Sequence, residues 1–284
     1  MTKNIKKNLG FTIIELLVVI ALLGLFASLV LVALRNARDR AKITASLQFE
    51  ANVYHALGAY AAGFWDFNEG SGSTAKDTSG DNNNCTINDA DWTTIRPSNE
   101  GSSLKFKGFA TSYLNCGNNI SDAIEKGGTI SIWIYPISRG GLFSIADGTN
   151  WEQQRVVLHF YGGSNGDKLG LTLSNGNPAG YATYYSNYVV PLNQWTQIVV
   201  SWDGTNVKHY FDGKLDKTQS QGGIVPEITN ISGQLLIIGK ADGVASFFNG
   251  YIDNVRIFSS PISSSQIQKL YAEGAERHGL AVEK

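Results

Sequence analysis

From Phe11 to Leu34 the chain carries a single charge, Glu15, in an otherwise almost unbroken apolar run. A helix of that length, at about 1.5 Å per residue, spans the roughly 30 Å hydrocarbon core of a bilayer. Lys3, Lys6 and Lys7 precede the run, and no acid occurs among the first ten residues. A basic flank stays on the cytoplasmic side, so the run predicts a single-pass membrane segment with the rest of the chain exported. A secretory signal would have a shorter apolar core followed by a small-x-small cleavage site. Here the run is too long and no such site follows.

The remainder reads differently. After Leu34 come a charged collar of Arg35, Arg38, Asp39, Arg40 and Lys42 and, at four-residue spacing, Ala37, Ala41, Ala45, Phe49, Val53, Leu57 and Ala61, an apolar stripe on a helix. With no proline before Pro97, the expected helix covers residues 11–62, ends at Gly63 and forms a stalk. Beyond Gly63 the period shifts from 3.6 to 2. Strands are expected at Phe64–Asn68, Leu104–Lys107, Thr129–Tyr135, Leu142–Ala146, Val156–Tyr161, Leu169–Leu173, Tyr181–Val190, Trp195–Trp202, Val207–Phe211, Leu235–Ile238 and Tyr251–Phe258. Turn pairs such as Asp203-Gly204, Asp212-Gly213 and Asn249-Gly250 separate them, the pattern of an antiparallel sandwich or barrel. Ser263 and Gln266 form a capping box ahead of Ile267, Leu270 and Tyr271, so a short helix closes the domain.

Thirty-one Gly and 11% aromatics against six Pro suit a turn-rich β fold and exclude disorder. Formal net charge is −1, and loss of the three leader lysines leaves 20 basic against 24 acidic residues, a net of −4, which excludes a nucleic-acid partner. Cys85 and Cys116 are the only cysteines, both in the exported part, where an oxidising compartment lets them pair. The sequence alone does not establish their proximity, so two thiols remain the alternative.

Gly10, Phe11, Thr12, Ile13, Ile14, Glu15, Leu16 and Leu17 resemble the leader junction of type IV pilins and type II secretion pseudopilins. The resemblance implies a leader of residues 1–10, cut after Gly10 by a membrane prepilin peptidase that also methylates the new N-terminus, Phe11. It further implies that Glu15 meets the N-terminal amine of a neighbouring subunit during filament assembly. The physics agrees, because a carboxylate in a membrane helix costs on the order of 2.5 to 3.5 kcal/mol at the bilayer centre and is there for a partner. Many major pilins carry a proline partway along this helix. Here Ala27 to Val32 contain none, which is closer to pseudopilins and minor pilins.

A second resemblance covers about 210 residues. Phe64-Trp65-Asp66-Phe67-Asn68-Glu69-Gly70-Ser71-Gly72 with Asp77-Thr78-Ser79-Gly80, the segment Trp195 to Gly204, the hairpin Tyr210 to Lys214 and the ending Phe248 to Phe258 are similar to laminin-G-like, concanavalin A-like jelly rolls. The implied architecture is mainly β with a long N-terminal helix: a jelly-roll sandwich over residues 63–273 on a pilin-type stalk, with a tail at 274–284. Relatives often hold a structural calcium ion, which makes Asp253, with Asn68 and Glu69, the expected ligand set. In an alternating strand Asp253 shares an inward face with Val255 and Ile257, where an acid needs a partner. Calcium takes six to eight oxygens, and asparagine stands at positions 68 and 254 where relatives often carry acids.

No strand presents the paired carboxylates that glycoside hydrolysis needs, and no nucleophile elbow, phosphate loop or dinucleotide fingerprint is present, so a catalytic role is not expected. His55, His159, His209 and His278 are scattered, and His159 and His209 alternate with apolar neighbours as structural residues do. Trp65, Trp133, Trp195 and Trp202 are expected to pack in the core. Trp151, Tyr184, Tyr185 and Tyr188 place aromatics beside amides, the combination that stacks on and hydrogen-bonds to sugars, although alternation into the core is the competing reading. The expectation is a pilin-like filament subunit, in the membrane before assembly, whose partners are other pilin subunits and a carbohydrate or cell-surface ligand. Two alternatives stay open: a type II secretion pseudopilin of a periplasmic pseudopilus, and a membrane-anchored carbohydrate-binding protein that does not polymerise.

Overall fold

A computed structural model of the chain describes residues 13–28, 30–31, 34, 57–94, 101–146, 155–161, 166–175, 180–222, 233–241 and 246–280. The chain divides into two compact units, residues 1–52 and 53–284. In the first, residues 13–28 are helical (α1) and their apolar side chains are exposed. The expected stalk between residues 35 and 56 lies outside the described residues.

The second unit is an antiparallel sandwich. Its described strands are β1 (Ala61–Trp65), β2 (Thr74–Ala75), β3 (Cys85–Asn88), β4 (Asp91–Thr93), β5 (Ser103–Lys107), β6 (Tyr113–Asn115), β7 (Gly128–Ser138), β8 (Gly141–Ala146) and β9 (Val156–Tyr161). They continue as β10 (Lys168–Ser174), β11 (Tyr181–Tyr185), β12 (Thr196–Trp202), β13 (Asn206–Phe211), β14 (Lys214–Ser220), β15 (Leu235–Ile238), β16 (Lys240–Ala241), β17 (Ser246–Phe247) and β18 (Asn249–Phe258), and the helix α2 (Ser264–Arg277) follows. One sheet has the order β14-β13-β12-β7-β18-β5-β4, with β1 also on β18. The other has the order β11-β10-β9-β8-β15-β6-β3-β2, and β16 with β17 form a small ribbon. This is the antiparallel sandwich that the strand pattern predicts and the mainly β jelly-roll architecture that the resemblance to laminin-G-like domains implies.

The core lies between the sheets. Ile130, Ile132 and Ile134 of β7, Ile198 and Val200 of β12, and Ile252, Val255 and Ile257 of β18 meet Leu142 and Ile145 of β8, Leu158 of β9, and Leu169, Leu171 and Leu173 of β10. Such period-2 rows bury one face of each sheet, and burial stabilises by roughly 25 cal/mol per Å² of apolar surface. Trp65, Trp133, Trp195 and Trp202 are all buried. Cys85 of β3 and Cys116, just beyond β6, are joined by a disulfide across paired strands.

Four local expectations need correction. The stalk helix does not reach residue 62: Gly58–Tyr60 is a 3-10 turn and Ala61 already pairs with Phe258, because the sheet offers Ala61 and Gly63 backbone partners that a helix end lacks. Tyr181–Val190 is a strand only to Tyr185; beyond it Asp216 accepts the amides of Asn187 and Tyr188, which turns the chain out of the ladder. Asn249-Gly250 is not a turn but the start of β18, where Gly250 (φ 151°) lets the backbone crowd the Tyr135 carbonyl. Residues 274–280 are not a loose tail, since α2 runs to Arg277 and His278 is buried.

The capping box forms as the sequence implies. The Ser263 amide donates to Gln266 Oε1 (2.7 Å), and the Gln266 amide to Ser263 Oγ (3.3 Å). It satisfies two amides at the start of a helix that lays Ile267, Leu270 and Ala275 on the outer face of the first sheet. Strand β14, missed by the apolar pattern, is a polar edge strand bearing Lys214, Asp216 and Lys217, the composition that protects a sheet edge. Asp212 (φ 49°) and Gly213 (φ 74°) both adopt the left-handed region in the two-residue turn before it.

Candidate functional sites

Helix α1 places Glu15 within an otherwise apolar surface, where Ile13, Ile14, Leu16, Leu17 and Val18 are each more than half exposed. The expected cleavage and methylation residues, Gly10 and Phe11, lie outside the described residues. Among the described residues no helix is long and apolar enough to cross a membrane.

The sandwich carries its polar aromatics on the outer face of the second sheet. Alternation sends Leu158 and Phe160 of β9, Leu171 and Leu173 of β10 and Tyr184 of β11 into the core. The same alternation leaves His159, Tyr161, Gly170, Thr172, Tyr181, Thr183 and Tyr185 on the opposite face. Here the Tyr161 ring lies along the sheet across Gly170, where an added Cβ would stand 2.6 Å from it. Its hydroxyl meets Thr172 Oγ1 at 2.7 Å, and Thr172 Oγ1 meets Thr183 Oγ1 at 2.8 Å, forming a three-hydroxyl ladder over three strands. Tyr185 stands edge-on to Tyr161 with centroids 5.0 Å apart, and Tyr181 is 42% exposed. Burial pushes the Tyr161 phenol up from its ordinary value. Beneath its ring, with centroids 3.5 Å apart, His159 is buried, and desolvation lowers its pKa to about 4, so the imidazole is neutral. Rings with adjacent hydroxyls offer stacking and hydrogen bonding to a polar, ring-shaped ligand.

Of the four aromatics singled out in the sequence, Tyr185 lies on this face. Tyr184 does not: its side chain is buried and its hydroxyl donates to the Gln221 carbonyl at 3.3 Å, because strand alternation turns it inward. Tyr188 packs on Phe211 (4.8 Å) at the edge where the chain crosses between sheets, and Trp151 lies outside the described residues. Tyr161 and Thr172, which complete the group with Tyr181 and Thr183 of the singled-out segment, were missed. The pairing Lys168↔Tyr161 and Thr172↔Thr183 assembles them from three strands, and no local pattern marks that register.

The expected calcium ligands Asp253 and Glu69 make separate contacts. In β18 the register shifts between Asp253 and Arg256, and Asn254 takes φ 44°, a β-bulge. The extra residue reverses the alternation, so Val255 and Ile257 face the core while Asp253 faces α2 with Trp133. Its carboxylate accepts the Asn254 amide at 2.9 Å and lies 3.0 Å from His278 Nε2, and both side chains are fully buried. Asn68 is exposed, and Glu69 accepts the Lys76 amide at 2.7 Å. Among the described residues no three His, Cys, Asp or Glu side chains gather as a metal site would require.

His278 is held from all sides. Its Nδ1 lies 2.7 Å from the Gly274 carbonyl oxygen, and its ring stacks on Trp133 (4.3 Å) and contacts Trp195 (4.4 Å). Both ring nitrogens thus lie against oxygens, one of the backbone and one of Asp253. Beside it, Arg256 donates twice to Glu273 (2.6 and 3.0 Å) and reaches Asp66 at 3.5 Å, which ties β18, α2 and the segment after β1 together.

Residues 5–31 match the prokaryotic N-terminal methylation motif, and residues 108–268 match the model of the concanavalin A-like lectin/glucanases superfamily. No curated protein sequence matches the chain. Among solved structures, domain 4 of AbnA, a GH43 extracellular arabinanase from Geobacillus stearothermophilus in complex with arabinotriose, is 18% identical with a TM-score of 0.57, covering 75% of this chain and 98% of that one. The botulinum neurotoxin serotype D ligand-binding domain in complex with N-acetylneuraminic acid is 16% identical with a TM-score of 0.56, covering 78% of this chain and 52% of that one. The binding domain of Paraclostridial Mosquitocidal Protein 1 is 15% identical with a TM-score of 0.57, covering 75% of this chain and 52% of that one. The chain thus spans about half the length of the toxin domains it matches, and the likeness is one of fold. With more than half of its length matched by the family model, the chain belongs to the concanavalin A-like lectin/glucanases superfamily, and it carries this domain behind a pilin-type N-terminal methylation motif.

Proposed function

We propose that this protein is a minor, pilin-like subunit of a type IV pilus-type filament that displays a carbohydrate-binding sandwich. The observation that carries the reading is the union of a methylation motif over an apolar helix bearing one carboxylate with a lectin-type domain in one chain. In this reading the chain is first a single-pass membrane precursor, prepilin peptidase cuts between Gly10 and Phe11, and Phe11 is methylated. Helices then leave the bilayer and bury their apolar faces against one another, with Glu15 neutralised by a neighbour's amine. A domain of this size suits an occasional subunit better than a repeating one.

The ligand face is the hydroxyl ladder of Tyr161, Thr172 and Thr183 with the rings of Tyr181 and Tyr185. Two of the similar structures hold an arabinotriose and an N-acetylneuraminic acid, which makes these saccharides the first probes. We read the domain as a binder and not a hydrolase because its partly buried acids hold backbone: Asp77 accepts the amides of Phe64, Ser79 and Asn83, and Asp212 that of Gln197.

Mass and N-terminal sequence of the protein from its own host, in envelope and sheared surface fractions, test the first half. A chain beginning at N-methylated Phe11 in the sheared fraction supports the filament. The same chain confined to the envelope supports a periplasmic pseudopilus, and a chain still beginning near Met1 overturns both. Titration of the detergent-solubilised chain with each saccharide tests the second half, with Tyr161→Ala expected to weaken binding at least about tenfold, the equivalent of about 1.4 kcal/mol.

A further inference from the structure

We infer that a pit beneath α2 is a binding site for one water molecule that seats the C-terminal helix on the sheet. The pit lies over three adjacent strands, β12, β7 and β18, with Ser131, Gln197, Asn254 and Arg256 on its floor and Leu270 and Gly274 of α2 in its roof. Three buried polar atoms of the floor residues have no hydrogen-bond partner among the described residues: Gln197 Oε1, Asn254 Oδ1 and Arg256 Nε. Gln197 is 1% and Asn254 5% exposed, so bulk solvent does not compensate them. An uncompensated buried polar group costs about 1 to 3 kcal/mol, and three together in one pit are not an accident of one side chain.

The chemistry selects the occupant. Two carbonyl oxygens and one N–H are the complement of a water molecule, which donates its two hydrogens to Gln197 and Asn254 and accepts from Arg256 Nε. Three hydrogen bonds are typical of buried water. Glu273, which also lines the pit, is already paired with the Arg256 guanidinium, so no uncompensated charge of either sign is left there for an ion. The free space is about 10 Å³, the room of about one water and too little for an organic ligand.

The location explains the arrangement. The guanidinium's other nitrogens already serve Glu273 and Asp66, so Arg256 has only Nε left for this site. Asn254 is brought there by the bulge at φ 44°, which a regular strand would not do. The water thus joins β12 and β18 below α2, where the helix has no direct bond to Gln197 or Asn254 among the described residues.

A crystal structure of the full detergent-solubilised chain at about 1.5 Å tests this. The expected result is a single peak within about 3.2 Å of Gln197 Oε1, Asn254 Oδ1 and Arg256 Nε, and its loss in Gln197→Met, whose thioether fills the pit without accepting strongly. A pit closed by a direct bond from Arg256 Nε to either amide overturns the proposal. So does an ordered pit without a peak, or a peak whose distances fit a metal ion. The wild-type density decides even if the variant does not fold.

Discussion

The two outer faces of the sandwich are built alike and end up with opposite fates. Each carries a row of aromatics with interleaved polar groups: Trp133, Tyr135, Trp195 and Tyr251 on the first sheet, Tyr161, Tyr181 and Tyr185 on the second. On the first, α2 covers the row, Trp133 is 2% exposed, Arg256 is paired with Glu273 of the helix and Asp253 with His278 just beyond it. On the second, the Tyr161 ring meets Tyr185, His159 and a hydroxyl ladder, and Tyr181 is 42% exposed. Aromatic composition therefore does not mark a binding face. What distinguishes the two is whether a later segment of chain arrives to cover them.

If the covered face is structural and the open one functional, substitutions should separate stability from binding. The largest stability loss should come from Trp133→Ala, which removes the ring stacked between Tyr271 and His278 and leaves a cavity; about 3 to 5 kcal/mol is expected in chemical denaturation, enough to unfold the domain in part. Equal stability in that variant would sink the claim that α2 is fastened by this stack.

Acid should act next. His159 and His209 are buried and neutral, each with a pKa lowered by desolvation from 6.5 to about 4. Their folded values lie below the unfolded one, so the stability they contribute is complete above about pH 6.5 and is lost as pH falls toward 4. At 1.36 kcal/mol per unit the limit is about 3 kcal/mol for each. Urea midpoints measured between pH 7 and 4 should therefore fall, and His209→Leu should make the decline shallower; an unchanged slope would show that His209 is not the group being charged.

Breaking the cap is a gentler way to loosen the covered face. Ser263→Ala removes the hydroxyl that accepts the Gln266 amide and should cost about 1 kcal/mol, read as faster hydrogen exchange over Ser264–Arg277 than over β9 to β11. The smallest stability effect belongs to the open face. Thr172→Val keeps the shape but breaks the ladder at its centre, with less than about 1 kcal/mol expected in denaturation and a clear loss of saccharide affinity. The reverse pattern, lost stability with unchanged binding, would transfer the ligand site elsewhere.

Much of this was legible from residues in a row. The apolar run with Glu15, the lysine-flanked leader, the period-2 strands and the capping box are local patterns, and the described structure follows them where it can be compared. Strand positions in particular depend on which residues alternate, a property of a few neighbours that burial of one face enforces. Short or polar strands such as β2, β4 and β14 escaped because two or three residues carry no period and an edge strand has little apolar surface to show.

What required the tertiary structure was direction and company. Asp253 reads inward beside Val255 and Ile257 until a bulge at Asn254 adds one residue and turns it toward His278, which lies 25 residues later. Tyr184 and Tyr185 are equivalent as letters, yet the ladder with β10 buries one and presents the other beside Tyr161. A side chain's face depends on every residue counted along its strand, and its neighbours depend on the register between strands. The sequence by itself therefore determined the kinds of element and the apolar period of each, while only the packing of sheet on sheet and helix on sheet decided which aromatic row was sealed and which was left open.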